Sequence, residues 1–483
     1  MRAQEVSRNR TELRQETGPN ARRDDESGPR PGEEEQRRDR ARICRGATGG
    51  FETPLQLSCS LVLVLVLCVA CGDDDAAPPD AGQPVVDAGP PDAGPPPDDS
   101  PLKGPWTLRP DVDRIVVRWE SRLAPEPAAV EVHAEGSEEI TTHEGTSRET
   151  IVQLSYGVGS AVVREPDYPG TYFVNDVEIT GLTPATCYAY SIVGYPEEGG
   201  RFCTMHAPDD HTTPITFYAI GDTSPAVMGT VRLITSEDPA QAEFTVHVGD
   251  IQYYSTVIET HQAWFRLMQP LLRANAFLPC VGNHEVDEVP HEYDDYYLRL
   301  FSPAGRDGTN EWYHYQTGGV HFFSLSSEHD LDLGSTQIDW LEEELAEAEA
   351  DPNYRFSIVY LHRPLYSVGD YRPRENQRAS LLPIIDAHRV PLVLAGHMHG
   401  YERFEVGDVT YITTGAGGFV DGNIDELVEE LPEDAALRVA SGSFLQAMFV
   451  EIVQDAEGND VIRGRVVDDV GVERDTFEHV VAP

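Results

Sequence analysis

The chain has 483 residues, with 83 Asp and Glu against 36 Lys and Arg and a formal net charge of −47. That balance excludes nucleic acid as a partner, because phosphate backbones are held by clustered Lys and Arg. Seven Cys in a chain of this length exclude a disulfide-dense scaffold, and the length itself suggests about two to three domains.

Residues 1–45 are rich in Arg and Glu and nearly devoid of apolar side chains, so they are expected to be a disordered extension. Residues 46–71 read as a secretory signal. Arg42 and Arg45 precede an apolar run from Leu61 to Ala70, too short to span a bilayer comfortably. Val69-Ala70-Cys71 resembles a bacterial lipobox, with Cys68 where a Leu is usual, and the resemblance implies lipidation of Cys71. Residues 72–102 are Pro-, Asp-, Ala- and Gly-rich, with Asp-Ala-Gly-Pro at 87–90 and again at 92–95. Such a segment has no face to bury and serves as an extended tether. The expected location is extracytoplasmic: lipid-anchored through Cys71 at the outer membrane or cell surface, since Gly72 rather than Asp follows the Cys, or secreted.

From 103 to 207 the chain reads as an all-β domain. Short β-rich runs such as Arg114–Trp119, Ala129–His133, Thr171–Ile179 and Thr186–Val193 are separated by turn residues. The stretch Gly181 to Tyr190 resembles the E–F corner of a fibronectin type III sandwich, with Trp119 as its core tryptophan. Cys187 and Cys203 flank a hairpin expected to turn at Tyr195–Gly200. They are either a cross-strand disulfide or two half-buried thiols.

Residues 212–478 alternate strands with helical stretches, the pattern of an α/β domain. Apolar strands end in Gly221-Asp222, Gly249-Asp250-Ile251-Gln252-Tyr253, Gly282-Asn283-His284-Glu285, His362-Arg363-Pro364 and Gly396-His397-Met398-His399. Ligands of open α/β sheets collect at strand ends. His397 and His399, two residues apart, are expected to point the same way from an extended segment. Two carboxylates, an Asn, three imidazoles and a Tyr are too many donors for one ion and suit two, a pair that clamps phosphoryl oxygens and generates a hydroxide nucleophile.

In this order the motifs resemble those of the purple acid phosphatases within the metallophosphoesterase (calcineurin-like) superfamily. The resemblance implies an αββα catalytic domain behind a fibronectin III-like sandwich. It implies a binuclear-metal phosphatase that hydrolyses phosphomonoesters by metal-bound hydroxide on a small phosphorylated substrate. Asp222, Asp250, Tyr253 and His399 would hold Fe(III). Asp250 would bridge to a divalent ion (Zn, Fe or Mn) held by Asn283, His362 and His397. His284 would contact phosphate or protonate the leaving group. Ser224 stands where the family usually has Gly. The loop after His362 lacks the family's histidines and carries Arg372 and Arg374, either substrate contacts or ordinary exposed arginines. That loop leaves phosphodiester hydrolysis open, and a non-catalytic surface binding lipoprotein is the reading from another class.

Overall fold

The structure, a computed structural model, describes residues 99–152, 170–223, 238–251, 259–286, 297–301, 311–418, 420 and 423–481. The extension, the signal with Cys71, nearly all of the tether, Ser224 and Tyr253 lie outside the described residues. No helix among the described residues is long and apolar enough to cross a membrane.

Two large sheets stack face to face. The first has ten strands in the order Glu473–Val480, Asp460–Asp468, Gln446–Gln454, Ile215–Ile220, Phe244–His247, Ala276–Pro279, Lys103–Leu108, Arg114–Ser121, Gly170–Thr180 and Thr146–Val152. The second has seven: Tyr313–Thr317, Val320–Ser324, Phe356–Tyr360, Leu392–Ala395, Val409–Thr414, Tyr401–Val406 and Arg438–Gly442. At the centre of each sheet the neighbours run parallel, so their C-terminal ends share one edge.

Alternation along each strand assigns its two faces. Phe217 and Ala219 point into the space between the sheets, while Tyr218 between them points outward. The inner faces interlock through aromatic edges, with Phe217 and Phe322 at 5.5 Å between ring centroids. Helix Glu259–Leu272 covers the outer face of the first sheet with Trp264, Phe265, Met268 and Leu272, close to helical spacing. Helices Thr336–Ala350 and Glu375–Ala387 cover the second sheet with Ile338, Leu341, Leu345, Leu381, Ile384 and Ile385. The first of these starts at Ser335, whose hydroxyl accepts the N–H of Ile338. The result is the αββα arrangement of layers, in which central strands buried on both faces read as continuous apolar runs.

The β region ahead of residue 212 is not set apart from these layers. Its strand Lys103–Leu108 lies parallel to Ala276–Pro279, so the ten-stranded sheet runs through both regions. Buried Trp119, Val130 and Tyr190 belong to the same apolar cluster as Phe217, Phe322 and Met448. A further sheet of Thr141–Glu144, Ala129–Ala134, Cys187–Ile192 and Tyr195–Cys203 closes this β region. Tyr188 Oη accepts the N–H of Thr183 at 2.9 Å across the corner. Cys187 and Cys203 face each other in register and form a disulfide. The hairpin between them corrects the expected turn: it turns at Val193-Gly194, and Tyr195–Cys203 is all strand. Gly194 takes φ 87°, which lets the chain reverse in two residues.

Candidate metal centre

The five strand ends converge on one edge of the stacked sheets. Asp222 follows Ile215–Ile220, Asp250 follows Phe244–His247, and Asn283 and His284 follow Ala276–Pro279. His362 follows Phe356–Tyr360, and His397 and His399 follow Leu392–Ala395. Each chain leaves its strand through a sharp turn. Asp222, Asp250 and His397 hold positive φ values of 56°, 48° and 69°. Such backbone costs roughly 1–3 kcal/mol per residue and persists where the surroundings impose it. The glycines before the ligands make room: a Cβ on Gly282 would lie 2.2 Å from Asp250 Oδ1, and one on Gly396 would lie 2.4 Å from Asp222 Oδ2.

One group of donors gathers at Asp250. Ligand atoms of Asp250, His362 and His397, all buried, lie within 4.8 Å of one another. His362 Nε2 is 3.3 Å from Asp250 Oδ1, 3.1 Å from Asn283 Oδ1 and 3.2 Å from His397 Nδ1. His362 Nδ1 donates to the carbonyl of Val248 at 2.9 Å, which turns Nε2 toward that group. The other donors gather at Asp222: His399 Nε2 is 3.6 Å from its Oδ1, and its carboxylate accepts the backbone N–H of His397. The two histidines therefore do not project side by side from an extended segment. Residues 397–400 form a bend, with the His399 ring at Asp222 and the His397 ring grouped with Asp250 and His362.

The charges are arranged for a cation. Burial raises Asp222, a pull that the hydrogen bond from His399 moderates. Burial acts on Asp250 in the same sense, but the His362 and His284 imidazoles hold it below the usual carboxylate range. Burial opposes protonation of His362, yet Asp250 and Asp222 draw a proton to it and raise it to about 9. Burial and the Arg363 guanidinium push His397 the other way. Buried carboxylates that draw a proton onto a fully buried imidazole will draw a metal ion more strongly, and the O and N donors suit Fe or Zn. The residues present fit such a centre.

His284 stands beside this group. Its backbone N–H donates to Asp250 Oδ1 at 2.9 Å, and its ring Nε2 is 3.9 Å from Asp250 Oδ2, part-exposed. Glu285 is buried beneath, accepting the N–H groups of Asp250, Ile251 and Gly282 at 2.8–2.9 Å. Burial and the Asp250 charge raise Glu285, while the Ile251 and Gly282 N–H groups and the His362 charge pull it down. Arg372 turns to Glu430 on the surface. Arg374 reaches inward to the Ser327 carbonyl at 2.9 Å and to Glu328 at 3.4 Å.

Three neighbours escape a reading of the strand-end motifs. Glu328 follows a sixth strand end, that of Val320–Ser324, and is nearly buried. Its partner Arg363 sits inside the His362 motif, with Nη1 2.7 Å from His397 Nε2. The Tyr371 ring packs 4.3 Å from the His397 ring and 6.0 Å from that of His399. Arg363 carried a signal, being next to a ligand residue; Glu328 did not, because Ser-Ser-Glu is common in loops.

Residues 215–401 match the family model described as calcineurin-like phosphoesterase. Probable purple acid phosphatase 20 of Arabidopsis thaliana is 28% identical over 387 residues, covering 75% of this chain and 84% of that protein. The fold resembles that of a purple acid phosphatase from yellow lupin (Lupinus luteus) seeds, with TM-score 0.62 at 16% identity over 79% of this chain and 74% of the other. It also resembles that of PhoD, with TM-score 0.52 at 12% identity over 78% and 92% of the two chains. The chain thus carries a calcineurin-like metallophosphoesterase domain with purple acid phosphatases among its homologues, and it is a metal-dependent phosphoester hydrolase.

Proposed function

We propose that the chain is a binuclear-metal phosphatase of the purple acid phosphatase kind that hydrolyses phosphomonoesters. The observation that carries the reading is the division of donors into two groups. Asp250, Asn283, His362 and His397 face one position, and Asp222 and His399 face another. In this reading Asp250 would serve both ions. Tyr253 would join Asp222 and His399 in holding Fe(III), and the other group would hold Zn, Fe or Mn. The ions, when bound, neutralise phosphoryl charge and acidify a water.

The chain's own residues supply position and protons. Glu285 holds the Asp250 backbone in its left-handed turn. The Val248 carbonyl orients His362. His284, part-exposed at the rim and tied through its backbone to Asp250, would contact the phosphate or pass a proton to the departing alkoxide. Phosphodiester hydrolysis is the second reading. It is favoured by a loop after His362 that presents Tyr371 and Arg374, with no histidine.

The reading extends to the chain ahead of the catalytic region. The Tyr188–Thr183 corner and buried Trp119 support a fibronectin III-like sandwich. The apolar run before Cys71 and the tether behind it support export with a lipid anchor on Cys71.

The ligand set is tested with Asp250→Ala in the full chain. Metal content and phosphomonoester turnover are expected to fall together, turnover by roughly a thousandfold or more. A variant that kept both would remove Asp250 from the centre.

A further inference from the structure

A guanidinium stands against the candidate metal centre. Arg363 Nη1 lies 2.7 Å from His397 Nε2, and the opposite ring nitrogen of His397 faces His362; once Nδ1 holds a cation, Nε2 carries the ring proton and no longer accepts from Arg363. One imidazole therefore separates a permanent positive charge from the place of a cation. An arginine cannot ligate a metal and does not lose its proton. Such a placement needs anions to offset it: Glu328 does so on one side of the guanidinium, and a bound anion would do so beside the ions.

The guanidinium is also held in position. Arg363 Nε donates to Glu328 Oε1 at 2.6 Å, and Nη2 to Oε2 at 3.3 Å. The Arg363 backbone N–H donates to Ser327 Oγ at 3.0 Å. Arg374 shares the same carboxylate and is further fixed by the Ser327 carbonyl. A simple ion pair needs one guanidinium for one carboxylate. Here Glu328, with a side chain only 7% exposed, meets two. Planar forks of this kind suit the oxygens of a phosphoryl group.

We propose that Arg363 contacts the non-bridging oxygens of the substrate's phosphoryl group and that buried Glu328, reached from the sixth strand end, positions it; this rests on the chain's being a metal-dependent phosphoester hydrolase. Arg363 does here, from within the His362 motif, what no histidine of the following loop can do.

The test uses the full chain and inorganic phosphate as probe. Metal content and phosphate affinity by calorimetry are measured on each sample, with kcat and KM for a small aryl phosphomonoester. Arg363→Met is expected to keep the metal content and to weaken phosphate roughly ten- to hundredfold, the loss of a hydrogen bond between charged groups. Arg363→Lys should recover part of that affinity. Glu328→Gln should weaken phosphate and raise KM while the ions stay. Arg363→Met with its ions in place and phosphate affinity within about twofold of wild type would overturn the proposal. If that variant does not fold, Arg363→Lys and Glu328→Gln carry the test, and wild-type phosphate affinity in both overturns it equally. A wild-type chain that binds neither ions nor phosphate would instead overturn the hydrolase reading on which the proposal stands.

Discussion

Glu285 receives three backbone N–H groups on one buried carboxylate, two of them from the turn that carries Asp250. Without that acceptor the left-handed Asp250 loses its support. Glu285→Gln turns one acceptor oxygen into a donor facing N–H groups. It should lower stability by about 1–3 kcal/mol and weaken metal binding. Chemical denaturation and metal titration of the variant check this, and unchanged values in both would show that the turn holds without Glu285. The donor types at this scale were legible because Asp, Asn and His after a buried strand have few other reasons to converge. The pairing of Arg363 with Glu328 was not, since contacts 35 residues apart leave no local pattern.

At the scale of elements, the parallel strands announced themselves as short apolar runs, four of the five ended by glycine, and all five reach one edge. Two local geometries did not read from the sequence. Positive φ at His397 turns the expected extended segment into a bend, and it is the fit against Asp222 that imposes it. The hairpin after Ile192 closes in two residues because Gly194 permits it, so the Pro and Glu residues that look like a turn are strand. The entry of Lys103–Leu108 into the catalytic sheet was also hidden, because pairing between distant segments has no signature in either one. The Cys187–Cys203 bridge closes a loop of 16 residues in sequence separation. Cys203→Ala should therefore cost about 3 kcal/mol by loop-closure entropy, read as a fall in denaturation midpoint. A midpoint equal to wild type would mean that the cross-strand pairing needs no staple.

The whole molecule carries a large excess of negative charge, and its arginines are spent locally to balance it. Arg438, Arg372 and Arg378 meet Asp425, Glu430 and Asp434 in the acidic segment after residue 423. A proton-sensitive feature lies elsewhere. His321 Nδ1 is 2.9 Å from His314 Nε2, His314 Nδ1 is 3.3 Å from Glu344, and the Tyr354 ring lies against His321. Burial and then the His314 charge lower His321 to about 4, against weaker opposite pulls from Asp351 and Glu344. The unfolded chain binds this proton below about pH 6.5 and the folded chain only below about 4. Stability from this site is thus complete above 6.5 and is lost as the pH falls through that interval, by up to about 3 kcal/mol. Denaturation at pH 7 and pH 4.5 should show that loss in the wild type and a smaller one in His321→Phe. Equal acid losses in the two would place the sensitivity elsewhere.

The strand-end donors are placed to hold a pair of metal ions. Metal content and a visible absorption spectrum on one sample of the purified full chain test it most directly. Two ions per chain are expected, one of them iron, with a broad charge-transfer band if Tyr253 binds Fe(III). A colourless chain holding two divalent ions would contradict the iron–tyrosinate assignment alone. A chain that carries no metal and takes up none when it is offered would contradict the two-ion centre itself.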